Sequence, residues 1–197
     1  MTNIYNKLSI NIPIGFDCSV ASQLRDKNIR KFALPFDWNI LNIGSIYNII
    51  NSIIEEQNID ILNSDNIIFA KKYFTHKYEN DSKIIVKLLP IFDKKYKILF
   101  VHDLKYDDYI KDPIIAINNL REKYLNRIKR LKHILSNENY IFAYKNDENS
   151  YKKKIYDHWN SFFDINIINL IEYYDNDNII LDKIKKITGH NIELYNL

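Results

Sequence analysis

The chain holds one cysteine, Cys18, in the run Gly15-Phe16-Asp17-Cys18-Ser19, where an alternating apolar stretch ends at a glycine and a helical stretch begins. A thiol attacks only as the thiolate, and the first turn of a helix favours negative charge because its N–H groups lack intrahelical partners. A cysteine placed there suits nucleophilic attack on an acyl carbon, with those N–H groups as an oxyanion hole. Asp17 and Ser19 flank it and could cap the helix or meet a substrate. The other use of a lone cysteine is as a small buried hydrophobe.

Such a nucleophile needs a base within hydrogen-bond reach, and the base needs an orienting group. Of five histidines, His102 has the most suggestive setting: it follows the apolar run Tyr96–Val101 and precedes Asp103. Ligand and catalytic groups gather at the carboxyl ends of strands in open α/β sheets. The pair therefore reads as base and orienter, or as a surface histidine closing a strand. His76, His133, His158 and His190 stand in a polar loop, on helical faces or after a helix-ending glycine. None lies near acids at metal-ligand spacing, so neither a metal nor a cofactor is expected. Only three glycines are present and none forms a phosphate-cradling loop.

Asp37 stands between Phe36 and Trp38 in Leu34-Pro35-Phe36-Asp37-Trp38. An acid among large apolar groups is costly to bury unless paired. The block reads first as a plug capped by its own turn. Alternatively, Asp37 orients a histidine, or Asp37 and Trp38 meet the substrate. Arg127 and Arg130 belong to the basic run Arg121–Lys132. A solvated helix face is the plain reading, and a clamp on a carboxylate or phosphate is the other. Lys152, Lys153 and Lys154 are open to the same two readings.

The elements that must position these residues follow from periodicity. Leu8–Ile14 alternates and predicts a strand; Val20, Ala21 and Leu24 predict a helix over Ser19–Ile29. A helix over Ser45–Gln57 is expected from its isoleucine spacing, capped by Ser45. Short strands are read at Ile67–Ala70 and Tyr96–Val101, with Ile84–Leu89 open to strand or helix. Pro113 opens a long helix with the stripe Ile117, Leu120, Tyr124, Ile128, Leu131 and Leu135. Then come strand Tyr140–Tyr144, helix Tyr151–Phe162, strand Ile165–Ile171, helix Ile179–Ile187 stopped at Gly189, and strand Ile192–Tyr195, with Asn146–Ser150 a loop. This β-α alternation predicts an α/β fold: three layers, a mostly parallel sheet and helical crossovers.

With 197 residues, 46% hydrophobic and 27% charged, the chain has the size and composition of one globular domain, residues 1–197. Its 28 basic against 25 acidic residues give a net charge of +3, which disfavours a nucleic-acid partner. No signal peptide and no membrane-length apolar run is apparent, and a single thiol suits a reducing compartment, so a cytoplasmic protein with no membrane partner is expected. The oligomeric state is left open. The abundance of Asn, Ile, Lys and Tyr matches AT-rich coding.

The runs IGFDCSVASQLR, LPFDW, FVHDL and EKYLNRIKRL together resemble a family of proteins classed as papain-like cysteine peptidases and spread among bacteria and large DNA viruses. The resemblance covers Ile14 to about Tyr144, and the cysteine and PFDW blocks are its most specific parts. It implies a catalytic Cys18 with His102 as its histidine, the PFDW block at Pro35–Trp38, and an arginine-rich helix at Arg127 and Arg130. Asn126 stands where a further arginine is expected. It also implies an alternative architecture, an α+β papain-like fold with an antiparallel barrel-like sheet. The activity expected is thiol-dependent hydrolysis of an amide, ester or thioester in a peptide or small acyl substrate. The competing expectation is a binding or host-interaction domain that keeps the fold without catalysis.

Overall fold

The computed structural model describes residues 9–78, 81–145, 147–170, 177–190 and 192–194. In chain order the elements are β1 (Ile10–Pro13), α1 (Ser19–Asp26), β2 (Asn39–Leu41), α2 (Ile43–Ile54), β3 (Ile67–Phe69), β4 (Phe74–Tyr78), β5 (Asp81–Leu88), β6 (Ile91–Asp93) and β7 (Ile98–Phe100). They continue with α3 (Tyr106–Lys111), α4 (Pro113–Asn137), β8 (Tyr140–Tyr144), α5 (Asn149–Asn160), α6 (Asp177–Thr188) and β9 (Ile192–Leu194).

The fold is mixed α/β, but the strands do not form one mostly parallel sheet. Parallel pairing is confined to three strands in the order β1-β8-β9. A separate antiparallel sheet runs β2-β7-β6-β3, and β4-β5 is a two-stranded hairpin. Connection length explains the difference. A parallel pair needs a long crossover, whereas a short link can only reverse the chain. Between β6 and β7 the chain turns over Lys94–Lys97, with Lys97 at φ 55° and Asp93 accepting the N–H groups of Tyr96 (3.0 Å) and Leu62 (2.8 Å). β3 and β7 fall within the expected strands Ile67–Ala70 and Tyr96–Val101, whereas periodicity marked neither β2 nor β6.

Local chemistry moves several boundaries. Asn42, not Ser45, caps α2, accepting the Ser45 N–H at 2.7 Å, so the helix begins at Ile43. Asp112 caps α4 by accepting the Ile115 N–H at 3.0 Å, and Pro113 opens the helix as expected. The buried side of α4 is Ala116, Leu120, Tyr124, Ile128, Leu131 and Ile134, with Arg127 among them. The described part of the expected strand Ile165–Ile171, up to Leu170, is not a strand. A 3-10 turn occupies Ile167–Leu170, stabilised by Asn160 Oδ1 accepting the Ile167 N–H at 2.8 Å, and the sheet position beside β8 belongs to β9. Gly189, at φ +69°, ends α6. Leu8, Asn146, Ile171 and Tyr195 lie outside the described residues. No described helix is long and apolar enough to cross a membrane.

Candidate active site

The Cys18 turn sits at the carboxyl end of the parallel sheet. Ile14 N–H donates to Ala143 O at 2.8 Å, carrying the β1-β8 ladder up to Gly15. The chain must then enter α1 against its own strand. A Cβ on Gly15 would lie 2.5 Å from Val20 Cγ2, so only glycine allows that approach. Cys18 is half-buried and forms the cap position, its carbonyl accepting the Ser22 N–H at 2.9 Å. Asp17 holds the turn from both sides: Oδ1 accepts the Ser19 N–H at 2.8 Å and Oδ2 accepts the Tyr151 hydroxyl at 2.7 Å. The Ser19 N–H is thus already engaged, and an oxyanion here would depend on its neighbours in the same turn.

Around this turn stand Lys145, Asp147 and Asp177, which the sequence did not single out, together with Lys152, which it did. Lys145 follows β8, its ammonium 2.8 Å from Asp147 Oδ1 and 3.5 Å from Ser19 Oγ. Lys152 is buried rather than solvated, 2.5 Å from Asp177 Oδ2, which also accepts the Tyr144 hydroxyl at 2.5 Å. A shallow crevice beside the turn is lined by Gly15, Phe16, Asn42, Lys145, Lys152 and Asp177. The available signal was positional: Tyr144 and Lys145 close the strand that pairs with β1. The Tyr151 phenol is pushed well above its ordinary value, first by burial and then by the Asp17 bond, with the charges of Asp17, Asp147 and Cys18 adding to it.

His102 lies just beyond β7, half-buried, its ring edge-on to Phe74 (6.2 Å between centroids) and to His76 (5.2 Å). Burial lowers its basicity below the usual histidine value; His76 adds to the lowering and Asp103 opposes it. The Asp103 carboxylate accepts the Lys123 ammonium and the Tyr124 hydroxyl. Its influence on His102 is therefore that of a nearby negative charge. Helix α5 runs past both neighbourhoods. Tyr151, in its first turn, meets Asp17, and Trp159, in its last, meets Phe74 at 5.0 Å. They are eight positions apart on the helix, about 12 Å along the axis.

Asp37 is fully buried within a folded plug. Its Oδ2 accepts Arg30 Nε at 3.1 Å, Arg30 Nη2, and the Leu34 N–H at 2.9 Å. Burial pushes its carboxyl above the ordinary value in spite of Arg30 and the Leu34 N–H. Trp38, at φ 66°, has the guanidinium groups of Arg25 and Arg30 at 5.2 and 5.5 Å from its ring. Arg127 and Arg130 do not share one task. Arg127 is buried, 4.7 Å over the Tyr124 ring, and adds positive charge near Asp37. Arg130 is exposed and donates to Ala33 O at 2.6 Å, tying α4 to the segment before the plug.

Among the described residues, no group of three or more His, Cys, Asp or Glu could hold a metal ion. No curated protein and no solved structure matches the chain. A family model does match, over residues 10–155, from β1 through the first half of α5. The matched span takes in the Cys18 turn, the Asp37 plug, His102 and the whole of α4, and the chain belongs to that family, whose description is "putative papain-like cysteine peptidase".

Proposed function

We propose that the protein is a thiol-dependent hydrolase acting on an amide, ester or thioester bond of a peptide or small acyl substrate. Cys18 is the nucleophile and His102 the general base, with the Asp103 charge favouring the imidazolium that forms. In the structure the two neighbourhoods stand at opposite ends of α5, so this mechanism requires them to close on the substrate; Sγ then attacks the acyl carbon as its proton passes to the imidazole. The leaving group takes that proton, and water then releases the acyl group from sulfur with the imidazole again as base. The observation that carries this reading is the placement of Cys18: a half-buried thiol at the start of α1, on the carboxyl edge of the parallel sheet, inside the family match.

The test is a panel of chromogenic esters, thioesters and peptides with the wild-type chain and Cys18→Ser. Turnover that disappears in Cys18→Ser supports the reading, and turnover that survives overturns it. A second reading, a binding domain without catalysis, draws on the placement of the Cys18 and His102 neighbourhoods at opposite ends of α5. It predicts no turnover on any ester, and a Cys18 alkylation rate between pH 5 and 9 that His102→Asn leaves unchanged.

A further inference from the structure

We propose that His76 is a positioning residue for His102, and that the hairpin β4-β5 is the arm that holds it against that ring. The inference rests on the reading of His102 as the base. In a strand successive side chains alternate. Phe74 and His76 therefore face the body half-buried, while Thr75 and Lys77 face solvent. Phe74 meets His102 at 6.2 Å, Trp159 at 5.0 Å and Phe162 at 6.3 Å, and His76 meets His102 at 5.2 Å.

The same hairpin grips the backbone of the segment that carries His102. Leu88, at the end of β5, bridges to Lys105, and the Leu89 N–H donates to Leu104 O at 2.9 Å. Ring and loop are thus both set by β4-β5. Among the described residues, the charged and titratable groups facing this cluster include His76 from β4 and Asp103 from the loop itself, which is engaged by Lys123 and Tyr124 of α4. From the side of α5, His158 lies 5.0 Å from the Trp159 ring and 5.6 Å from that of Phe162, and the Lys72 ammonium stands 4.4 Å over Phe162. Burial first, and then the His76 imidazole 5.2 Å away, disfavour a proton on His102. The consequence for function is a base kept neutral, and able to accept a proton, near pH 7.

The test is an NMR titration of the imidazole Cε1–H signals in the full chain, for wild type, His76→Phe and His76→Asn. Phenylalanine keeps a ring against His102 and removes the charge. In His76→Phe the His102 midpoint is expected to rise by about half a unit or more while the Trp159 indole signal stays in place. Should that variant displace Trp159, His76→Asn decides, with a rise in the same direction. A His102 midpoint unchanged in both variants overturns the proposal. Failure of the hydrolase reading would look different: His76 would still shift the His102 titration, but Cys18→Ser would leave turnover intact or there would be no turnover to lose.

Discussion

The Tyr151 hydroxyl donates to Asp17 Oδ2 at 2.7 Å, joining the first turn of α5 to the residue before Cys18 across 134 positions of sequence. Since Asp17 Oδ1 also caps the Ser19 N–H, one carboxylate couples the start of α1 to the start of α5. Tyr151→Phe breaks that link without emptying the space. We expect a stability loss of about 1 kcal/mol in urea denaturation and faster alkylation of Cys18, because the turn is less restrained. An alkylation rate equal to wild type would show that the turn holds itself.

Gly15→Ala is expected to cost about 1–3 kcal/mol, because its Cβ would press on a stiff β-branched side chain. Val20→Ala should relieve the clash, so the double variant is less destabilised than the sum of the singles. Additive losses in chemical denaturation would mean that strand and helix move apart instead.

The two arginines of α4 should behave differently. Arg127→Ala removes a buried guanidinium stacked on Tyr124 and a counter-charge of Asp37, and a loss of about 2–4 kcal/mol is expected. Arg130→Ala removes an exposed contact to Ala33 O and should cost less than about 1 kcal/mol. Equal melting temperatures for the two variants would contradict this assignment.

The pH dependence of stability carries a signature of His102. Its folded value lies below the ordinary 6.5, so as pH falls the unfolded chain takes up this proton first. Stability from this group is fully present above about pH 6.5 and declines as pH falls through it, levelling only once the folded state also protonates. His102→Gln should flatten that part of the profile between pH 8 and 5.5. Denaturation midpoints that fall as steeply in the variant as in wild type would assign the slope to other groups.

Local chemistry alone determined much of this protein. The alternation before Gly15, the Pro113 start, the α4 stripe and the Gly189 stop each depend on neighbours within a few residues, and each was legible. The lone cysteine at a strand-to-helix turn was equally visible, because glycine and a capping acid announce such turns. Tertiary structure decided the rest. Which strands pair, and in which direction, depends on partners far along the chain, so the division into a parallel trio, an antiparallel four and a hairpin could not be read from runs of three to five apolar residues. The same holds for the surroundings of the candidate site. His76 lies in what reads as a polar loop, yet strand pairing swings it to 5.2 Å from His102. Arg127 reads as part of a basic face, yet α4 turns it into the core beside Tyr124. In both cases the residue type is local information, but the electrostatic environment that governs its chemistry is set by elements brought together only on folding.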